Sequence, residues 1–333
     1  MLRLSCCVLF CLSLLAPACR AAPPLEVVTT LAQIAEPLGW IAGPRARVSS
    51  LLGAGVDPHL YRPTRSDVAR LAAADLVFYN GLHLEAQMEG MLQALAARKP
   101  VVALADGVAP TRLRAVGGAE GGSARDPHLW MDPALWRSAL EHAVAALIAA
   151  DPAGAEGYRS RARAYFLRLQ RLQAYVTQVM ATVPAQARVL VTAHDAFGYF
   201  GRAFDLEVLA IQGLSTESEA GLRRIEELVE VLVRRRIAAV FVESSVSPRS
   251  VQALIDGAAA RGHRVRIGGE LYSDAMGPPG DYTGTYLGML DHNASTIAHG
   301  LGGRVPAGGL RGELAEMAGP VEAAGRGSSA AVH

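Results

Sequence analysis

The sequence predicts an α/β protein of two (β/α) lobes joined by a long backbone helix, with a metal site in the cleft between them. Three observations lead there. Short β-rich runs alternate with helical stretches in two separate series, one on each side of residues 151–184. One unbroken amphipathic stripe lies between the series. Three histidines in turn-like contexts, His59, His128 and His194, stand so far apart that only a large fold brings them together.

The first series comprises Val27-Val28-Thr29-Thr30, Val48-Ser49-Ser50-Leu51-Leu52, Leu76-Val77-Phe78-Tyr79 and Val101-Val102-Ala103-Leu104, in a lobe spanning 25–150. Residues 107–125, with the run Gly117-Gly118-Ala119-Glu120-Gly121-Gly122-Ser123, read as a flexible loop. Next, Asp151-Pro152 resembles an N-cap followed by a first-turn proline, and Pro184 closes a helix over 151–184. Its apolar positions Tyr158, Ala162, Tyr165, Leu169, Leu172, Val176, Val179 and Val183 step alternately by four and three, a stripe about 38 Å long at roughly 1.5 Å per residue. Such a helix either braces both lobes, which limits metal capture to modest lobe movement, or lies within one of them.

The second series, in a lobe at 185–301, runs Arg188-Val189-Leu190-Val191-Thr192, Glu207-Val208-Leu209-Ala210-Ile211, Ala239-Val240-Phe241-Val242 and Arg264-Val265-Arg266-Ile267. From Gly302 the chain turns rich in Gly, Ala and Pro without a packing period, so 302–333 reads as a disordered tail.

The tripeptide Asp-Pro-His occurs twice, at Asp57-Pro58-His59 and Asp126-Pro127-His128, and His194 sits in Thr192-Ala193-His194-Asp195. Neutral imidazole is the commonest protein metal ligand, and a preceding proline makes a rigid presenting turn. His59 and His128 are 69 residues apart and His128 and His194 are 66 apart, which excludes zinc-finger and metalloprotease-helix patterns. The expected site is a cleft joining separate strand ends.

The amino terminus carries Arg3, an apolar run from Leu4 to Leu15 and small residues Ala16-Pro17-Ala18 before Cys19, so 1–18 reads as an export signal. The 15 residues from Leu4 to Ala18 fall short of the roughly 20 that span a bilayer. Cys19 is a candidate lipidated first residue, although Ala16 stands where such signals usually carry Leu; cleavage after Ala18 or Ala21 into a periplasm is the alternative. All four cysteines, Cys6, Cys7, Cys11 and Cys19, belong to this segment, which excludes thiolate metal chemistry and structural disulfides in the mature chain. Without residues 1–18, 31 basic and 31 acidic residues remain. No basic surplus or aromatic-interleaved stripe points to nucleic acid.

The motifs together resemble a known family, the zinc and manganese solute-binding proteins of bacterial metal ABC importers, the TroA-like group. They are Val56-Asp57-Pro58-His59-Leu60-Tyr61, Tyr79-Asn80-Gly81-Leu82-His83-Leu84-Glu85, Asp126-Pro127-His128-Leu129-Trp130, Thr192-Ala193-His194-Asp195-Ala196-Phe197-Gly198-Tyr199-Phe200, Phe241-Val242-Glu243-Ser244-Ser245 and Gly268-Gly269-Glu270-Leu271-Tyr272-Ser273-Asp274-Ala275-Met276-Gly277. The resemblance implies a monomeric extracytoplasmic receptor that hands one divalent ion, zinc or manganese, to an ABC permease and its ATPase. It also supplies a fourth ligand, so the implied set is His59 and His128 from the first lobe with His194 and Asp274 from the second.

Three nitrogens and one carboxylate suit a borderline cation, and four protein ligands leave little room for the reactive water of a catalytic zinc site. The set leans to zinc, although manganese receptors of this group often carry Glu at the position of His194, and 107–125 lacks the histidines common in dedicated zinc receptors. Two other functions compete: a siderophore, haem or cobalamin receptor of the same architecture, and an extracytoplasmic zinc hydrolase. Asp57 and Asp126 are placed to order the ligand turns or to stand solvated; Asp195 competes with Asp274 as ligand. Glu243, at a strand end, either orients an imidazole, replaces a ligand or forms a buried ion pair. His83 is left outside the ligand set. Because only neutral imidazole binds metal, affinity is expected to fall as pH drops through about 6.5.

Overall fold

The computed structural model describes residues 23–115 and 124–311. The export signal, Cys19, the Gly117–Ser123 run and residues 312–333 lie outside the described residues.

In the first lobe, β1 (Leu25–Thr29), β2 (Ala46–Ser50), β3 (Leu76–Tyr79) and β4 (Val101–Ala103) form one parallel sheet in the order β2-β1-β3-β4. Val27 faces Val48 on one side of β1, and Val28 faces Val77 on the other. Parallel neighbours need crossovers, which α1 (Ala32–Ala42), α2 (Arg65–Ala73) and α3 (Glu89–Ala96) provide. Leu76, Val77 and Phe78 are all buried, which explains why the central strand reads as a continuous apolar run rather than an alternating one.

The second lobe repeats this order. Strands β5 (Val189–Thr192) and β6 (Glu207–Ala210) pair in parallel, as do β7 (Ala239–Glu243) and β8 (Arg266–Leu271), and β5 lies beside β7. The sequence β6-β5-β7-β8 thus mirrors β2-β1-β3-β4. Strand β8 starts and ends later than the apolar pattern predicts because Gly268 and Gly269 interrupt it. Those glycines are required: a Cβ on Gly268 would lie 2.7 Å from the Phe241 ring, and Gly269 adopts φ 149° at a register shift opposite Val240/Phe241. Helices α6 (Gly198–Phe204), α7 (Leu222–Arg235), α8 (Arg249–Ala260) and α9 (Tyr286–Gly300) complete the lobe.

Between the lobes, α4 (Pro133–Ala150) leads into α5 (Ala155–Ala181). Helix α5 has 27 residues, a length of about 40 Å. Tyr158, Ala162, Tyr165, Leu169, Leu172, Val176 and Val179 are all buried along it. It packs on α1 and α4 of the first lobe and on α6 and α9 of the second. The largest apolar core is correspondingly continuous through both lobes, with Trp136 of α4 stacked on Tyr286 of α9 at 6.2 Å between ring centroids.

Two sequence expectations need correction. Asp151 ends α4 and does not cap α5, because its carboxylate accepts from Arg45 Nε and Nη2 at 2.6 Å each and from the Tyr158 hydroxyl at 2.6 Å. Helix α5 therefore begins after the turn Pro152–Gly154. Residues 302–311 of the expected tail are folded. Leu310 is buried in the main core, and the Arg304 N–H donates to Thr182 Oγ1 at 2.8 Å. One leucine at the end of a Gly-rich stretch has no periodic partners in sequence, so its burial was invisible there.

Candidate metal centre

The lobes meet where their strands end, the usual binding edge of an open parallel sheet. His59 follows β2, His194 follows β5 and Asp274 follows β8; His128 precedes α4. Both Asp-Pro-His turns are closed the same way. The His59 N–H donates to Asp57 Oδ1 at 2.8 Å, and the His128 N–H to Asp126 Oδ1 at 3.0 Å. Each aspartate thus locks its histidine two residues on, the local turn that Asp side chains favour. Downstream, Asp132 caps α4 by accepting from the Ala134 and Leu135 N–H groups, which anchors the other side of the His128 segment.

His59, His128, His194 and Asp274 are all buried, and one candidate ligand atom from each lies within 4.8 Å of the other three. The Asp274 carboxylate is central: Oδ1 is 3.3 Å from His128 Nε2, and Oδ2 is 3.1 Å from His194 Nε2 and 3.7 Å from His59 Nε2. The three Nε2 atoms and both Asp274 oxygens are buried without a hydrogen-bond partner. Five buried metal-donor atoms that face one another and find no partner outside their own cluster mark a place for a cation. His59 and His128 come from the first lobe, His194 and Asp274 from the second.

The other nitrogens of two imidazoles are held by carboxylates. His128 Nδ1 is 2.8 Å from Asp126 Oδ1; His194 Nδ1 is 2.6 Å from Glu243 Oε2, while Glu243 Oε1 accepts the His194 N–H at 2.9 Å. Glu243 at the end of β7 therefore orients His194, one of the roles its position allowed. Such carboxylate–histidine pairs fix ring orientation and leave Nε2 free for a metal. Asp195, the competing ligand candidate, turns away from the cluster and pairs with Arg114 at 3.2 Å. The Asp57 carboxylate accepts from the Thr216 hydroxyl across the cleft. His83 lies apart, its imidazole 81% exposed and 2.7 Å from Glu89.

Sequence reasoning missed the groups that fix the Asp274 backbone. Gln33 Nε2 donates to the Asp274 carbonyl at 2.8 Å and Trp130 Nε1 to the Ser273 carbonyl at 2.9 Å. Both bonds cross between lobes. Trp130 carried a signal in standing two residues after His128; Gln33, deep in an apolar helix, carried only its polarity.

The family model described as "Zinc-uptake complex component A periplasmic" matches residues 27–300. The chain belongs to this zinc-uptake component A family. It is 45% identical over 277 residues to the "Manganese-binding lipoprotein MntA" of Bacillus subtilis, covering 83% of this chain and 90% of the relative. It is 43% identical over 275 residues to the "Zinc-binding protein TroA" of Treponema pallidum, covering 83% and 88%. A solved structure of the periplasmic zinc-binding TroA of Treponema pallidum superposes with a TM-score of 0.81 at 42% identity, covering 84% of this chain and all of that one. The family's two-lobed fold is the fold described above.

Within this family member the electrostatics of the site are uneven. Burial pushes His59 down to about 4 against the pull of Asp274. Burial also opposes charge on His128, but Asp126 and Asp274 outweigh it and lift the imidazole to about 9. Burial acts the same way on His194, yet Glu243 and Asp274 overcome it and hold the ring well above the ordinary value. Asp274 lies well below the carboxylate range despite burial because His194 and His128 face it.

Without metal at neutral pH, His128 and His194 are therefore both protonated, so protons stand in for the cation. Each Nε2 proton must leave before that nitrogen binds. Lower pH fills these positions and weakens metal affinity; higher pH empties them and strengthens it. The window lies above the pH of about 6.5 expected for ordinary histidine, because two carboxylates flank each ring. At neutral pH in weak buffer, binding should release about two protons per ion, read with a pH indicator. Uptake without proton release would contradict this electrostatic account.

Proposed function

We propose that this chain is the extracytoplasmic solute-binding receptor of an ABC importer, taking up one divalent transition metal through His59, His128, His194 and Asp274. It delivers the ion to the membrane permease, whose ATPase drives import. The observation that carries this reading is the set of five buried, unpartnered donor atoms converging from both lobes. Three nitrogens and a carboxylate fit zinc or manganese as cargo. The donor set favours zinc in affinity, while the relatives' names divide between manganese and zinc.

Carriage rather than catalysis is supported by how the surrounding carboxylates are used. Asp126 and Glu243 bind imidazole Nδ1 atoms and Asp57 holds its own turn and Thr216, so none is left as a general base beside the cluster. The four donors give no apolar lining for a haem or siderophore. The reading includes residues 1–18 as an export signal, Cys19 as a candidate lipid anchor, and action as a monomer. No helix among the described residues is long and apolar enough to cross a membrane.

Elemental analysis of the signal-free protein, purified from metal-balanced medium, tests the reading. One zinc or manganese per chain is expected. No stoichiometric metal, even after both ions are added back, would overturn it.

A further inference from the structure

We propose that Arg114 is a positioning residue that sutures the two lobes beside the metal centre and sets how slowly the metal leaves. The inference rests on the receptor reading above. Arg114 Nη1 lies 2.8 Å from Asp126 Oδ2 in the first lobe and 3.2 Å from Asp195 Oδ2 in the second, and Nη2 reaches the same Asp195 oxygen at 3.3 Å. Asp126 is the carboxylate that holds His128, and Asp195 adjoins His194. One guanidinium thus ties together the segments that carry a candidate ligand from each lobe.

The suture extends through neutral groups. The Arg114 N–H donates to the Tyr199 hydroxyl at 3.0 Å, and that hydroxyl donates to the Asp126 carbonyl at 2.9 Å. Arg202 of α6 donates to the Arg112 carbonyl at 2.8 Å. Gly198, which opens α6, makes room for the fork: a Cβ there would collide with the Arg114 guanidinium. The planar, rigid guanidinium holds both carboxylates in a fixed geometry that a flexible Lys ammonium would not impose.

The other side-chain ties across the cleft are single hydrogen bonds, among them Gln33 to the Asp274 carbonyl and Trp130 to the Ser273 carbonyl. Thr216 gives Asp57 a single hydroxyl bond, and Gln87 meets Glu217 at 3.5 Å among exposed side chains. The Arg114 tie differs from these in joining a carboxylate on each side of the cleft, at the edge beside His128 and His194. Loss of that edge lets the lobes part around a bound ion.

The test is the dissociation rate of zinc from the loaded full-length mature protein, followed by stopped flow into a chelator. Arg114→Ala is expected to speed release about 10–100-fold while association changes little. Gly198→Ala, which keeps the charge and displaces the fork, should act in the same direction, and Arg114→Lys should fall between wild type and Arg114→Ala. Asp195→Asn should speed release alone but add little in the Arg114→Ala background. A merely local structural role would lower thermal stability without this split between release and association. Wild type that holds zinc, with variant release rates equal to its own, overturns the inference alone. Wild type that holds no metal overturns the receptor reading and the inference with it.

Discussion

Replacement of His194 by alanine is expected to abolish tight metal binding. The residue contributes one of four converging atoms and its ring is fully buried between Glu243 and Asp274. Loss of a group that merely orients a ligand costs roughly 10–100-fold in metal affinity, so loss of a ligand should cost more. The substitution also leaves Glu243 buried without its cationic partner, and breaking a buried pair of this kind destabilises a protein by about 3–5 kcal/mol. Isothermal titration with zinc, paired with denaturant unfolding of the metal-free protein, measures both effects. His299→Ala, on the exposed face of α9, should change neither. A His194→Ala protein that binds zinc like wild type would remove His194 from the site.

Glu243→Gln is the second large effect. The carboxylate accepts the His194 N–H through one oxygen and holds Nδ1 through the other, so the ring is fixed in position and tautomer at once. Glutamine keeps the volume and one acceptor but loses the charge. Zinc affinity should fall by about 10–100-fold, and His194 should lose part of the support that holds its proton in the free state. Fewer protons should then be released on binding than in wild type, a change that a simple packing defect would not produce. Unchanged affinity together with unchanged proton release would show that Glu243 is only a structural ion-pair partner.

How much of this was legible in the chain follows from the range of the interactions. All eight strands announced themselves as short runs rich in apolar and β-branched residues, although β2 lies two residues before the expected run and β8 slipped later, where glycines needed for close packing broke its pattern. His59 and His128 stood out through the duplicated Asp-Pro-His turn, which is local chemistry, and His194 through its own turn-like context after an apolar strand. Asp274 did not; nothing in its surroundings distinguishes it from a turn aspartate, and only the motif resemblance selected it. Glu243 was visible as a carboxylate at the end of an apolar strand, but its choice of His194 rests on a contact across 49 residues. Arg114 and Gln33 act on partners 81 and 241 residues away, and no periodicity encodes such pairs. Asp151 misled because the sequence shows the cap geometry and not the arginine that takes its carboxylate away.

The apolar core that runs without interruption from the first lobe through α5 into the second has a thermodynamic consequence. Each lobe keeps a smaller cluster of its own on the outer side of its sheet, but the main core is shared, with Trp136 and Tyr286 completing each other's packing across the boundary. Unfolding of one lobe therefore strips buried surface from the other, which couples their stabilities. Cargo that binds only the folded state then stabilises the whole chain through mass action, in proportion to the logarithm of its concentration. A receptor built this way makes its survival against heat and proteases a readout of metal supply.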